Sequence, residues 1–117
     1  MVHNLNLNPR PFELIKNGTK TIELRLYDER RQGITIGDTL VFTHTEDATA
    51  KLTCRVKKLY LFESFAKLYK SLPLEKCGYL PHEIANASPD DMNIYYSLEK
   101  QAMYGVVGIE IELINNI

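Results

Sequence analysis

The sequence predicts an α+β fold, in which a small mixed or antiparallel β-sheet curls toward a barrel and is flanked by helices. The 117 residues suit a single domain, 1–117, since one core usually serves about 100–150 residues. Several segments alternate polar and apolar residues, as strands with one buried face do. The predicted order is strand, helix, three strands, two helices, strand. It lacks the regular alternation of strand and helix that builds a doubly wound parallel sheet.

The first part of the chain predicts a strand, a helix and a second strand. Residues 3–7 alternate and form the first strand, after which Asn8 caps a helix whose first turn accommodates two prolines. Gly18 ends this helix, because glycine readily adopts the left-handed conformation found there. Residues 20–27 alternate again, and we assign one face to the core and the other to the outside. The core face is Ile22, Leu24 and Leu26, and the outward face is Thr21, Glu23, Arg25 and Tyr27.

Two further strands follow a polar loop at 28–33. Residues 39–43 form a strand after a Gly-Asp turn, and 45–50 are predicted to be a loop. The longest strand is 51–60, and its alternation shifts at 57–59, which indicates a bulge. Its inward residues are Leu52, Cys54 and Val56.

The last part of the chain predicts two helices and a closing strand. Residues 62–72 have helical spacing and precede a proline, whereas 74–86 are irregular. Ser88 followed by a proline and two acids starts a helix that we extend to Tyr104. Residues 106–113 form the last strand. Its inward residues are Val107, Ile109, Ile111 and Leu113.

The composition excludes several classes of protein. Hydrophobic residues make up 44% and charged residues 25%, so a disordered or collagen-like chain is excluded. No apolar run approaches the ~20 residues that span a bilayer, and the alternating N-terminus is unlike a signal peptide. We therefore expect a cytoplasmic protein with no membrane partner. Two cysteines, Cys54 and Cys77, cannot form a disulfide framework or a four-ligand zinc site on their own.

The sequence contains none of the common catalytic or metal-binding motifs. Gly-x-Ser-x-Gly, a Walker-type loop, His-Glu-x-x-His and Cys-x-x-Cys are all missing, and we expect neither a metal nor a cofactor. The net charge is −1, with a balance of +4 in residues 1–78 and −5 in residues 79–117. Generic polyanion binders are strongly basic, so this class is excluded. A local basic surface in the first two-thirds and an ordinary solvated surface both remain open.

One candidate site lies where the first helix gives way to the second strand. Glu23 and Arg25 lie two residues apart on the outward face, so they point the same way. A guanidinium offers a rigid fork of donors for carboxylate, phosphate or a base edge, and Lys20 can project toward the same cleft. The alternative is a surface ion pair worth about 0–1 kcal/mol. We expect all three side chains to lie outside the core.

A second candidate cluster lies in the last predicted helix. Tyr95, Tyr96, Glu99 and Met103 recur at spacings of three and four, which places Glu99 on a face shared with aromatic and apolar groups. A carboxylate that is desolvated on such a face suits proton transfer. The alternative is that the tyrosines pack against the core while Glu99 reaches water.

These two clusters carry a resemblance to a known family. The pattern Gly18-x-Lys20-Thr21-x-Glu23-x-Arg25, followed by Gly37-Asp38 before a strand, resembles the ASCH domain. The segments Tyr95-Tyr96-Ser97-x-Glu99 and Gly105-Val106-Val107-Gly108-Ile109-Glu110 resemble the ending of small bacterial stand-alone ASCH proteins. The resemblance covers nearly the whole chain. It implies a PUA-like fold, a small β-barrel with helices across its openings, and a cleft lined by Lys20, Glu23 and Arg25.

The resemblance first implies a binding module for RNA or a small nucleotide-like ligand. ASCH domains are thought to bind such ligands by analogy with PUA domains. Arg25 would then contact a phosphate or a base edge, and Glu23 would accept a hydrogen bond from an exocyclic amine. Tyr27 or Tyr96 would stack on the base, and Glu99 would approach the ligand from the last helix.

The alternative that the resemblance implies is a small amidohydrolase. Some small ASCH proteins remove the acetyl group from N4-acetylcytidine with a Lys, a Thr and a Glu. Lys20 matches the Lys and Glu23 stands at the Thr position, so these two would be the catalytic residues. Glu63 and Glu75 are the candidates for the acidic partner.

Overall fold

The computed structural model describes residues 1–116 and shows five strands in one curled sheet, a half-barrel. The strands are β1 (Val2–Leu7), β2 (Ile22–Leu26), β3 (Thr39–His44), β4 (Asp47–Phe62) and β5 (Val106–Asn116). Their order across the sheet is β1-β3-β4-β5-β2. β1 and β3 are parallel, and the other neighbouring pairs are antiparallel. The predicted α+β class and the mixed, curled sheet are confirmed.

Short helices flank the sheet. They are α1 (Pro9–Lys16), α2 (Glu29–Gln32), α3 (Phe65–Ser71), α4 (Asp90–Asn93) and α5 (Leu98–Tyr104), with 3₁₀ helices at Leu74–Cys77 and Pro81–Asn86. None of the helices within residues 1–116 has the length and apolar character needed to cross a membrane. α1 begins after Asn8 as predicted, but the Asn8 side chain accepts a hydrogen bond from Thr45 instead of capping the helix.

The single helix predicted from Ser88 to Tyr104 is wrong. α4 ends at Asn93, and α5 begins only after Ser97, whose side chain accepts a hydrogen bond from the Lys100 amide. The buried Gln101 side chain donates to both the Asn93 side chain and the Tyr96 carbonyl. The chain therefore turns between the two helices, and the face on which Tyr96 and Glu99 were expected together does not form.

Two predicted loops contain regular structure. β4 starts at Asp47, which lies opposite His44 of β3, so the predicted loop at 45–50 is mostly strand. The polar loop at 28–33 contains α2, because the Asp28 side chain accepts a hydrogen bond from the Arg31 amide and starts a helical turn. The bulge predicted near the end of the long strand is confirmed, since its register against β5 shifts between Val56 and Lys58.

Apolar side chains fill both faces of the sheet. The inner cluster joins β1, β3, β4 and β5 to α1. Its members include Phe12, Leu40, Phe42, Leu52 and Ile109. The outer cluster lies between β2 and α3. Its members include Ile22, Leu24, Leu26, Phe65 and Leu68. The predicted core residues of β4 are buried, whereas Leu113 in β5 is 37% exposed, so its inward assignment is wrong.

β2 is buried on both faces, which corrects the prediction of an outward polar face. Ile22, Leu24 and Leu26 are buried as predicted, but they pack against α3 on the outer side. Glu23 lies opposite Ile109 of β5 in the antiparallel register, so both side chains lie on the inner face of the curled sheet. Only 4% of Glu23 is exposed. The curl of the sheet encloses this face, and no alternation in the sequence reveals that curl.

Candidate functional site

The Glu23 carboxylate lies between two cations. The Lys20 ammonium is 2.7 Å from Oε1, while Arg25 donates to Oε2 from Nε at 2.9 Å and from Nη2 at 2.8 Å. The Lys20 and Arg25 side chains are only 10% and 12% exposed. The sequence prediction that these residues lie outside the core is therefore wrong, because the sheet curls over them. We call Lys20, Glu23 and Arg25 the buried ionic cluster.

The charges in the buried ionic cluster stabilise one another. Burial alone would raise the pKa of Glu23, but the charges of Lys20 and Arg25, and their hydrogen bonds to it, lower the pKa to about 2. Burial would lower the pKa of Arg25, but the charge of Glu23 outweighs it, and the nearby Tyr96 adds to the rise in pKa. Glu23 is thus a carboxylate with both oxygens engaged. With two cations and one carboxylate, the cluster carries a net charge of +1.

Backbone contacts fix the position of Lys20. Its amide donates to the Leu14 carbonyl at 2.9 Å, and the next amide, of Thr21, donates to the Lys76 carbonyl at 2.9 Å. Gly78 has a φ of +109°, and a Cβ added there would lie 3.2 Å from Cδ of Lys20. Glycine thus allows the turn after the first 3₁₀ helix to pack directly on the lysine side chain, which keeps the ammonium beside Glu23.

Arg25 links the two edges of the sheet. Its Nη2 donates to the Asn6 carbonyl of β1 at 2.7 Å as well as to Glu23. β1 and β2 are the outermost strands in the sheet order, so this side chain spans the gap at which the barrel stays open. The guanidinium fork therefore holds the half-barrel together beside the cavity.

A cavity of about 690 Å³ opens over the buried ionic cluster. Its volume is in the range typical of sites for small ligands. Four tyrosines contribute to its walls. The residues that line the cavity include Asn6, Arg10, Lys20, Glu23, Arg25, Tyr69, Cys77, Gly78, Tyr79, Glu83, Asp91, Tyr95 and Tyr96. The cavity combines aromatic walls with charged groups, which is typical of a binding site for a polar ligand with an aromatic ring.

The other charged groups of the cavity lie nearer its entrance. Arg10 in α1 forms an ion pair with Glu83 in the second 3₁₀ helix. Asp91 in α4 accepts a hydrogen bond from the Tyr79 hydroxyl at 2.7 Å, and that hydroxyl is 2.6 Å from the Tyr69 hydroxyl. Burial raises the pKa of Tyr69 to about 12, and burial together with Tyr69 and Asp91 raises the pKa of Tyr79 as well. Both phenols therefore stay protonated at neutral pH.

Cys77 lines the cavity but is not suited to nucleophilic attack. Burial raises the pKa of its thiol to about 11, so the reactive thiolate is scarce at neutral pH. Within residues 1–116, no three His, Cys, Asp or Glu side chains are grouped as a metal site would require.

The structure brings some of the predicted site residues together and separates others. Lys20, Glu23, Arg25 and Tyr96 all line the cavity. Tyr27 packs against the inner apolar cluster and lines a different depression, beside α5. Glu99 does not line this cavity, because α5 starts after the turn that follows Tyr96; it lies exposed on that helix.

The two acids proposed as hydrolase partners also lie outside the cavity. Glu63 is largely exposed and forms an ion pair with Lys67 within α3 and its preceding turn. Glu75 is exposed in the first 3₁₀ helix and does not line the cavity.

Sequence reasoning missed the residues contributed by the segment between α3 and α5. Gly78, Tyr79 and Asp91 all lie there, and they have no periodicity that would relate them to β2. The available signal was Gly78 within an irregular stretch, where a glycine indicates a turn or loop. A glycine of this kind does not indicate which side chain packs against it. In the structure that side chain is Lys20.

Comparisons with known proteins agree with this architecture. The family model of the ASCH domain matches residues 5–115. The hypothetical protein PH0355, known from a crystal structure, is 33% identical and superposes with a TM-score of 0.80, covering 97% of this chain and all of that one. Protein PF0455 from Pyrococcus furiosus, known from a solution NMR structure, is 34% identical with a TM-score of 0.70, covering 98% and 99% of the two chains.

A more distant structure shares the fold alone. An ASCH protein from Zymomonas mobilis is 13% identical, with a TM-score of 0.64 over 99% of this chain and 72% of that one. None of the curated proteins compared with this chain matches it significantly. The match to the family model spans nearly the whole sequence, and the curled sheet with flanking helices is PUA-like. The chain therefore belongs to the ASCH domain family, whose members are thought to bind RNA.

Proposed function

We propose that this protein is a cytoplasmic binding module for a nucleotide unit, either free or unpaired within a single-stranded RNA, held in the cavity over the buried ionic cluster. The observation that carries the proposal is the excess of positive charge in that cluster. Lys20 and Arg25 share one carboxylate, so the cluster itself has one positive charge more than Glu23 neutralises. A phosphate supplies that anion and accepts hydrogen bonds from both side chains.

The walls of the cavity suit a base. Tyr95 is 64% exposed and lines the cavity, so one face of its ring is available for stacking. Tyr96 already stacks on Phe65, with the ring centroids 5.9 Å apart, and therefore stands in a fixed orientation. A base that stacks on these rings needs no defined sequence, because every base has an aromatic face. Tyr95 thus takes the stacking role that the sequence suggested for Tyr27.

The overall charge favours a short ligand over a long one. The net charge of the chain is −1, and the cavity lining includes Arg10, Lys20 and Arg25 against Glu23, Glu83 and Asp91. Long-range attraction of a polyanion is therefore weak, and only a few phosphates are contacted. A base stacked inside a duplex cannot enter the cavity, so unpaired nucleotides are the expected targets.

The geometry favours binding over the amidohydrolase alternative. Lys20 is paired as an ammonium with the Glu23 carboxylate at 2.7 Å, and an ammonium has no lone pair with which to act as a base. Glu23 has both oxygens engaged and, with its lowered pKa, carries no proton to donate at neutral pH. The proposed acidic partners Glu63 and Glu75 lie outside the cavity.

Calorimetric titration at low salt tests the proposal with CMP, AMP, a short single-stranded RNA and an RNA duplex as probes. The wild-type protein should bind the first three and not the duplex. Lys20→Met should weaken nucleotide binding by about 10–100-fold, since a hydrogen bond to a charged group is worth about 1.5–3 kcal/mol. Lys57→Met is the matched control, because Lys57 is exposed on β4 away from the cavity and its loss should leave affinity unchanged.

Two results would contradict the proposal. The first is that no probe binds to the wild-type protein, or that Lys57→Met weakens binding as much as Lys20→Met. The second is that wild-type protein converts N4-acetylcytidine to cytidine and that Lys20→Met abolishes this conversion. In that case the hydrolase alternative replaces the binding module.

A further inference from the structure

We propose that the cavity selects nucleotides whose base carries an exocyclic amine, such as cytosine or adenine, over uracil and hypoxanthine. The selecting residues are Asp91 and Tyr79, which present hydrogen-bond acceptors to the base. This inference rests on the proposed function, because it concerns the base of a nucleotide held in the same cavity. Glu23, to which the sequence assigned this contact, is already engaged on both oxygens.

The direction of the hydrogen bonds in the tyrosine pair is fixed by Asp91. A carboxylate only accepts, so the Tyr79 hydroxyl donates its single proton to Asp91 Oδ2 at 2.7 Å. The 2.6 Å contact between the two hydroxyls therefore has Tyr69 as its donor and Tyr79 as its acceptor. Neither phenol has a proton left for a ligand. This wall of the cavity offers oxygen lone pairs and no O–H donor from these two tyrosines.

Asp91 keeps accepting capacity for a ligand. The Tyr79 hydroxyl and the Ser88 amide both donate to Oδ2. In the described part of the chain no donor reaches Oδ1, and no cation lies within ion-pair distance of Asp91. The lining cations Arg10 and Lys20 are engaged elsewhere, Arg10 with Glu83 and Lys20 with Glu23. Asp91 is exposed, so Oδ1 can accept a hydrogen bond from a ligand donor in exchange for solvent.

An exocyclic amine and a carbonyl oxygen differ sharply at such a wall. The N4 amine of cytosine or the N6 amine of adenine donates to Asp91 Oδ1 and satisfies it. The O4 of uracil or the O6 of hypoxanthine in the same position instead brings a lone pair toward a carboxylate, which is unfavourable. The neighbouring ring N–H reaches Oδ1 only if the base shifts from the position that cytosine or adenine takes. Sites built around one hydrogen-bonding group reject the analogue that lacks it. Comparing the cytosine nucleotide with the uracil nucleotide, and the adenine nucleotide with the hypoxanthine nucleotide, is therefore a direct test.

The test compares CMP with UMP, and AMP with IMP, by calorimetric titration. We expect the wild-type protein to prefer the amine-bearing nucleotide at least tenfold in both comparisons. Asp91→Asn should bring the ratio to within about threefold, because an amide can turn either a donor or an acceptor toward the base. Asp90→Asn is the matched control. Asp90 neighbours Asp91 in α4 but does not line the cavity, so this variant should keep the preference.

The outcomes separate this inference from the proposed function. If CMP and UMP bind equally to wild-type protein and Lys20→Met weakens both, the nucleotide site stands and the base selection is overturned. A preference that survives Asp91→Asn also overturns it. If no nucleotide binds, both proposals fail. Thermal melts of each variant show whether it is folded. If Asp91→Asn does not fold, Tyr79→Phe replaces it. This variant removes the hydroxyl that donates to Asp91 but keeps the aromatic ring.

Discussion

Glu23→Gln should destabilise the protein strongly, although it removes no apolar contact. The substitution keeps the size of the side chain and removes its negative charge, which leaves Lys20 and Arg25 as two buried cations side by side. Removing one partner of a buried ion pair typically costs about 3–5 kcal/mol. We therefore expect the free energy of unfolding at pH 7 to fall by about that amount.

The pKa of Glu23 gives a second route to the same magnitude. A fall from 4.5 to about 2 on folding corresponds to about 3 kcal/mol of stability at neutral pH. Because the folded-state pKa is the lower one, this stability is present in full above about pH 4.5. It is lost as the pH falls toward 2, where the carboxylate becomes protonated in the folded protein too.

Urea denaturation of the wild-type protein and of Glu23→Gln, followed from pH 7 to pH 2, measures this directly. The difference in unfolding free energy between the two proteins should be largest at pH 7 and shrink as the pH falls, since a protonated Glu23 resembles glutamine. Other carboxylates titrate in both proteins, so their contributions cancel in the difference. Glu63→Gln is the control. Glu63 is largely exposed, and its ion pair with Lys67 should contribute less than about 1 kcal/mol.

The reasoning would be refuted by a Glu23→Gln variant as stable as wild type at pH 7. It would equally be refuted by a difference that stays constant down to pH 2, because the loss would then come from packing and not from charge.

Two further substitutions test how the cavity is held in place. Gly78→Ala should cost about 1–3 kcal/mol in urea denaturation and weaken CMP binding several-fold, since φ is +109° and the new Cβ displaces the Lys20 side chain. Gly33→Ala is the control and should cost nothing, because φ is −79° and the new Cβ makes only an ordinary 3.7 Å contact with the Arg30 carbonyl. Gln101→Leu should cost about 1–3 kcal/mol, because it leaves the buried Phe65 amide without its acceptor. Equal stability of Gly78→Ala and Gly33→Ala, or an unchanged Gln101→Leu, would contradict these expectations.

The sequence predicted the fold well in segments where a single hydrophobic periodicity, of a strand or of a helix, runs through the whole element. The strands at β1, β3 and β4, the first helix and the inward residues of β4 all follow from alternation and from turn residues. The helix predicted to reach Tyr104 failed because a tertiary contact decides the outcome. The side chain of Gln101 binds the turn at Tyr96, and Ser97 starts a new helix. Such a contact has no local pattern in the sequence.

The sequence placed Lys20, Glu23 and Arg25 near one another but did not predict their environment. The spacing of Glu23 and Arg25 indicated that their side chains point the same way, and in the structure both Arg25 and Lys20 contact Glu23. Alternation on β2 separates two faces but does not say that both are covered. The outer face is covered by α3 and the inner one by the curl of the sheet. Curl depends on long-range strand order, so the burial of Glu23 could not be derived from the sequence.

Burial changes what the three residues can do. On an exposed strand the cluster would be a weak, screened ion pair, and its excess charge would be lost among counterions. In the interior, the Glu23 carboxylate holds the Lys20 and Arg25 side chains in position through its two ion pairs. The excess positive charge of the cluster is weakly screened there, because the surrounding protein has a low dielectric constant. Arg25 adds the hydrogen bond to the Asn6 carbonyl, which spans the gap between the two edge strands beside the cavity. The contacts that hold the half-barrel together are therefore the same contacts on which the proposed affinity for an anion rests, so a substitution in the cluster should change both stability and binding.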